Sequence, residues 1–420
     1  MQPAFVPLCI AAAICLRLMV ALLFPVEPVS DSAWYVARAF DLLAGRGYQE
    51  SGYPTAYWPV GWPAILAGAL YLLGSIQVSI VSLNLIGSVL IMGAILWFGR
   101  TLAKSELVAR VALLGYALYP NHIAYSGNAA TETFYTGIAM LAFALLIAGR
   151  KKTLPLIASG ILFGIATLIK PQTLAFPFGA VIAIGLTIPT YRWYSVLRAG
   201  VTVYIALLCV VLPWSFRNQA VMGEFVLVST NGGTALILGA NDQITGDHFD
   251  YEQTAVFTQL GIPWEQRVER QVELNRKQTE FAKEWIRQHP GEYLAWMPRK
   301  IFQLWVKDTD GFWAFDSTYP HAIMAVRAAQ IANQAYYAVV TLLGLICAFF
   351  ALRAIVARDE ARMQLGLLFC MPALVSVLAA AFTGQIRYHF PAMPFIFIAA
   401  AWTLVHFWTT CLRNRSESPR

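Results

Sequence analysis

Charge is what this chain of 420 residues has least of: Asp, Glu, Lys and Arg together make up 13%, about half the share found in a soluble domain. Apolar residues account for 58% and the mean hydropathy is +0.58, which excludes a water-soluble globule. Cysteine is also scarce. The six, at 9, 15, 209, 347, 370 and 411, lie in or beside apolar runs, without zinc-site spacing or the pattern of a disulfide framework.

What the chain does have is a series of long apolar runs, at about 4–24, 60–73, 76–98, 106–126, 128–148, 153–169, 172–189, 195–214, 330–352, 363–382 and 388–411. A helix that crosses the hydrocarbon needs about 20 residues. The 60–73 run is shorter, opens with Trp58, Pro59, Trp62 and Pro63, and leads straight into the next. It reads as interfacial or re-entrant. The first run, Met1 to Phe24, outlasts a signal-peptide core and lacks its cleavage site, so it reads as a retained span.

Charge placement tests this count. If 60–73 does not cross, fourteen basic residues in short segments fall on one side: Arg100, Lys104, Arg110, Arg150, Lys151, Lys152, Arg192, Arg198, Arg353, Arg358, Arg362, Arg413, Arg415 and Arg420. The other side has Arg38, Arg46, Lys170 and Arg387 in short segments, plus a hydrophilic stretch long enough to be exempt. The expected fold is an all-α polytopic membrane protein of about ten transmembrane helices, with an amphipathic first outer loop and a small extracytoplasmic α or α/β domain. Its divisions would be 1–214, a membrane module with outer loop 25–75; 215–328, the extracytoplasmic domain, helical from Glu265 to Arg287; and 329–420, the last spans and tail. Both termini would be cytoplasmic, in the inner membrane. The net charge of +7 then reflects topology, not nucleic-acid binding.

Pro28 to Tyr48 reads as a short amphipathic helix, capped by Ser30 or Asp31 and ended by Gly45 or Gly47. Asp31, Tyr35 and Arg38 share one face. Asp31 has two readings: a helix N-cap, or a carboxylate at the membrane surface that takes a proton or helps hold a metal. Asp41 and Glu50 read as solvated. Tyr53-Pro-Thr-Ala-Tyr-Trp-Pro-Val-Gly-Trp-Pro63 is either an interfacial aromatic belt or a wall for a sugar or lipid.

A carboxylate just beyond the first span, heading a helix that ends in Gly-x-Gly-Tyr and leads into this Pro/Trp-rich run, resembles the membrane glycosyltransferases of the GT-C fold. The nearest branch is the family 39 type, which includes protein O-mannosyltransferases and bacterial aminoarabinose transferases. Further segments carry the resemblance. Ser126-Gly-Asn-Ala-Ala-Thr-Glu132 is similar to the second acidic motif, and a charge at that depth is costly unless paired or wet; its plain reading is a helix-start glutamate. Lys170-Pro-Gln172 ends a span as family members do, although a snorkelling lysine would look the same. Arg387-Tyr-His-Phe-Pro-Ala-Met-Pro394 is similar to a C-terminal family element. Pro213-Trp-Ser-Phe-Arg-Asn218 and the Asn231-Gly-Gly turn, whose N–H groups could cradle an anion, open the outer domain.

The resemblance implies transfer of one sugar from a polyprenyl-phosphate donor to an extracytoplasmic protein, lipid or glycan, with inversion. No nucleotide-binding signature is visible. Asp31 would be the base, helped by Glu132. Arg387 and Lys170 would bind the donor phosphate, with Arg217 and Arg38 in reserve, and Tyr35, Tyr57, Trp58, Asn231, Tyr388 and His389 would line the substrate pocket. A divalent metal is a candidate cofactor. Many family members follow the first-loop Asp with Glu, but here Ser32 follows and Glu27 is the other nearby carboxylate, which weakens a metal site built on such a pair. The rival readings are a lipid or sugar transporter or flippase, and a lipid-linked glycan ligase or polymerase.

Overall fold

The computed structural model describes residues 4–149, 152–188, 192–246 and 255–416. Arg150, Lys151 and Arg420 lie outside the described residues. The order is α1 (Phe5–Leu23), α2 (Asp31–Leu43), α3 (Gly61–Leu73), α4 (Ile76–Thr101), α5 (Glu106–Ala117), α6 (Pro120–Ala124), α7 (Glu132–Ala148), α8 (Thr153–Ile169), α9 (Phe176–Thr187) and α10 (Trp193–Met222). Then come α11 (Gly232–Leu238), α12 (Ala255–Gln259), α13 (Gln271–Gln288), α14 (Pro290–Val306), α15 (Trp313–Thr318), α16 (Ile323–Val356), α17 (Cys370–Ala381) and α18 (Met393–Ser416). Among the described residues the strands form one hairpin, Gln49–Glu50 against Tyr53–Pro54. The chain is an all-α polytopic membrane protein, and the outer domain is α rather than α/β where it is described.

Among the described residues six helices are long and apolar enough to cross a membrane, or seven if the bent pair Pro120–Gly127 and Glu132–Ala148 is one span. Every apolar run forms helix, but several are shorter than the sequence suggested. The expected 106–126 span breaks after Ala117, and α6 with its following turn meets α7 at 115°. Thr153–Ile169, Pro171–Thr187 and Gly61–Leu73 are shorter apolar helices. At 13 residues and about 1.5 Å each, α3 falls well short of the hydrocarbon thickness.

The break after α5 has a local chemical cause. Pro120 has no N–H for the Tyr116 carbonyl, and the Asn121 N–H goes to Asn333 Oδ1 at 2.9 Å, leaving the Ala117 carbonyl without its helical partner. Arg17 of α1, fully buried, supplies the missing donor: its guanidinium reaches the Ala117 carbonyl at 3.1 Å and adds to that of Tyr116 at 3.3 Å, which also accepts from the Tyr119 N–H at 3.2 Å. A cation thus caps a helix C-terminus inside the membrane domain.

Close helix contact sets the position of α7. A Cβ on Gly87 of α4 would lie 2.7 Å from the Thr133 carbonyl, and one on Gly137 of α7 would lie 2.8 Å from that of Gly87. The paired glycines let the backbones approach and fix Glu132, in the first turn of α7. Trp62, Phe98, Phe143 and Phe163 are buried in the main core, and the Trp62 indole N–H is satisfied by the Ala129 carbonyl at 2.8 Å. The segment expected as the outer domain has a smaller core of its own around Ile237, Phe257, Leu274 and Trp285. It joins the first outer loop through buried Gln271, which accepts from the Ala56 N–H at 2.9 Å and donates to the Pro54 carbonyl at 2.9 Å.

Candidate active site

The first outer loop forms the expected amphipathic helix. Ser32, Tyr35 and Ala39 are buried on one face of α2 and Phe40 and Leu43 are exposed. Gly45, at φ +71°, turns the chain away after Leu43. Asp31 is the first residue of α2, and no side chain caps the helix. Instead, its Oδ2 lies 2.7 Å from Nη1 of Arg387. The preceding Ser30 is held at φ +48°, ψ −121°, a strained conformation for a residue with a Cβ.

Glu132 and Lys170 form a second ion pair, 2.9 Å apart. Glu132 is buried at 3% exposure, so the contact neutralises a charge that would otherwise be costly there. Lys170, just past the end of α8, also stands 5.7 Å over the Tyr135 ring. Arg387 sits in the 3-10 turn Ile386–Ala392 that enters α18. Both pairs line one cavity of about 740 Å³, shared with Tyr35, Trp58, Asn231 and Tyr388. Its lining also includes the apolar side chains of Leu174, Leu208, Leu374, Val375 and Leu378. Burial, then the Asp31 charge, holds the Tyr35 hydroxyl well above the usual phenol range, so it remains a neutral hydrogen-bonding group.

Four expected site residues do not line this cavity. Arg217 donates to the carbonyls of Tyr48 and Thr55 at 2.8 and 2.9 Å, stapling the outer loop to α10. Arg38 pairs with Asp41 at 2.8 Å. The Tyr57 hydroxyl faces Thr234 at 3.5 Å. His389 is buried, with Nδ1 donating to the Leu304 carbonyl at 2.6 Å and Nε2 against Asp308 at 2.9 Å; both neighbours are acceptors, so the ring acts as a structural donor. Asp41 and Glu50 are not simply solvated either. Asp41 is buried between Arg38 and Arg46. Its burial opposes ionisation, but hydrogen bonds from Arg46 and Arg38 outweigh that and lower its pKa. Glu50 accepts from the Trp34 indole at 2.9 Å and pairs with Arg267. The Asn-Gly-Gly turn becomes the start of α11, where the Gly233 N–H goes to Asn275 Oδ1 at 2.7 Å and is not free for an anion. Glu27 is exposed and does not line the cavity.

The sequence reading missed Asp310, which lines the cavity and accepts a hydrogen bond from the Tyr125 hydroxyl. Two residues earlier, buried Asp308 accepts from Tyr119, from Asn121 at 2.5 Å and from Asn333 at 3.2 Å. The available signal was Asp308-Thr-Asp-Gly311 just ahead of a span, which looks like an ordinary turn. Among the described residues no group of three His, Cys, Asp or Glu side chains could hold a metal. Asp31 and Glu132 each face a cation, so this pair does not fit a metal.

No family model matches the sequence, and no curated protein matches it significantly. Solved structures do match. The Archaeoglobus fulgidus oligosaccharyltransferase in its apo form aligns over 100% of this chain and 53% of its own, at 12% identity and a TM-score of 0.57. The same enzyme tethered to an acceptor peptide containing the NVT sequon aligns over 98% and 51%, at 10% identity and a TM-score of 0.58. ArnT from Cupriavidus metallidurans bound to undecaprenyl phosphate aligns over 96% and 78%, at 13% identity and a TM-score of 0.47. The chain spans about half the length of the oligosaccharyltransferase chains it matches. At this level of identity the likeness is one of architecture, and the chain has the GT-C fold.

Proposed function

We propose that the protein is a membrane glycosyltransferase that takes one sugar from a polyprenyl-phosphate donor and delivers it to an acceptor on the extracytoplasmic face of the membrane. The observation that carries this reading is the cavity: its lining combines two cations, each paired to a carboxylate, with a set of apolar side chains. A lipid phosphate has the matching parts. The archaeal oligosaccharyltransferase that shares the fold has been captured with a dolichol-phosphate and with an acceptor peptide.

Arg387 would bind the donor phosphate through two parallel N–H groups, exchanging Asp31 for a phosphate oxygen. Lys170 would add a second positive charge. As the bond from sugar to phosphate breaks, negative charge grows on that oxygen, and fixed cations in a water-poor cavity stabilise it far more than water would. Asp31 and Glu132, released in part from their partners, would face the positive charge developing on the sugar. We assign 1–214 and 329–420 to the membrane module and 215–328 to the outer domain that selects the acceptor, with both termini cytoplasmic.

The test is to incubate the purified full-length protein in detergent with undecaprenyl-phosphate-linked mannose, glucose and aminoarabinose and to measure free undecaprenyl phosphate. Release above a no-enzyme control supports the reading. A transporter would bind these lipids without cleaving them, and a ligase would require the diphosphate-linked donor.

A further inference from the structure

We propose that Asp310, rather than Asp31, takes the proton from the acceptor hydroxyl; the assignment rests on the glycosyltransferase reading above. Among the described residues three carboxylates line the cavity: Asp31, Glu132 and Asp310. The first two are committed to cations, Arg387 at 2.7 Å and Lys170 at 2.9 Å. Once donor phosphate loosens these pairs, both face the positive charge developing on the sugar, and a proton arriving on either would cancel the negative charge that stabilises it. Asp310 makes no ion pair among the described residues. Tyr125 donates to its Oδ2, and Oδ1 has no protein partner among the described residues.

The segment carrying Asp310 is clamped on both sides. Asp308 is held by Tyr119, Asn121, Asn333 and His389, and the Gly311 N–H donates to Asn121 Oδ1 at 2.8 Å. Asp310 is thereby preorganised, as a group that must meet a reacting proton has to be. The charged and titratable groups around it are Tyr125 on the turn after α6, Glu132 on α7, and Arg387 and His389 on the turn before α18. Burial pushes its carboxyl above the usual range, against the opposing pull of Arg387. A carboxylate of higher proton affinity is the better general base near neutral pH.

The acceptor oxygen forms a bond to the anomeric carbon while the bond from that carbon to the phosphate oxygen breaks. The bonding pair leaves on the phosphate, held by Arg387 and Lys170. The hydroxyl proton passes to Asp310 and is later lost to water.

The assay is undecaprenyl phosphate release from the three lipid-linked sugars, with water and glycerol as hydroxyl acceptors. In Asp310→Asn, turnover is expected to fall by about 100-fold or more, with unchanged affinity for undecaprenyl phosphate. Asp310→Ala should be rescued by added formate, which a purely structural role would not allow. The acid limb of the wild-type pH profile should persist in Asp31→Asn. The proposal is overturned if Asp310→Asn keeps most of its turnover, if formate rescues Asp31→Ala but not Asp310→Ala, or if the acid limb disappears with Asp31. Wild-type protein that cleaves none of the donors overturns the glycosyltransferase reading itself, and this assignment with it.

Discussion

Arg387 and Asp31 are 356 positions apart in sequence and 2.7 Å apart in space, so the first outer loop and the start of the last helix meet as an ion pair. Substrate phosphate and Asp31 therefore compete for one guanidinium. Removing the competitor should show this directly. Asp31→Asn is expected to tighten undecaprenyl phosphate binding by about two- to fivefold, the scale of a partly exposed pair, while slowing turnover. Arg387→Ala should weaken the same binding. Titration of both variants by tryptophan fluorescence checks the pair of signs, and equal weakening in both would refute the competition.

Glu132 and Lys170 present the buried counterpart. Lys170→Met strands a carboxylate that is only 3% exposed, and breaking a buried pair on one side costs about 3–5 kcal/mol. Removing both charges, as Lys170→Met with Glu132→Gln, should recover most of the lost stability without restoring turnover. Thermal unfolding in detergent separates these outcomes.

Lys300 gives a pH signature. Its ammonium is buried against the Gly239 carbonyl at 2.7 Å and 4.6 Å from the Tyr293 ring, and burial pushes its pKa down to about 8 from 10.5. The unfolded chain then holds this proton at pH values where the folded protein has released it. Stability contributed by this group must therefore rise with pH between about 8 and 10.5. Lys300→Met should flatten that rise when melting temperature is followed across the window.

Arg17 is the structural control. Arg17→Met would leave the buried Ala117 carbonyl at the end of α5 without its donor, a loss of about 1–3 kcal/mol. Arg17 does not line the cavity, so affinity for undecaprenyl phosphate should be unchanged in the protein that remains folded. A melting curve paired with a binding isotherm tests both halves.

The legible part of the cavity was its rare charges. In so apolar a chain Asp31, Glu132, Lys170 and Arg387 stand at the ends of apolar runs, and the structure brings all four to one cavity. Partnerships were harder to read. Glu50 looked solvated because Arg267, which binds it, is brought to it by tertiary structure; Asp41 is bound by Arg38 and Arg46 of its own segment, a local pairing that the sequence reading passed over. His389 adjoins Tyr388, which lines the cavity, yet its ring is drawn into the Asp308 cluster. Asp310 was invisible because an Asp-Gly step ahead of a span carries no periodicity. The 106–126 span read as continuous because hydropathy does not register that Pro120 removes a donor.

The cap that Arg17 provides to α5 also orders the biogenesis of the protein. A lone arginine in the middle of a membrane helix disfavours insertion by about 2.5–3.5 kcal/mol, and the carbonyls that compensate it lie about 100 residues downstream. Until α5 is synthesised and docks, α1 is a helix with an unanswered charge in the bilayer. Arg17 thus ties the commitment of α1 to the arrival of the segment that leads into Glu132.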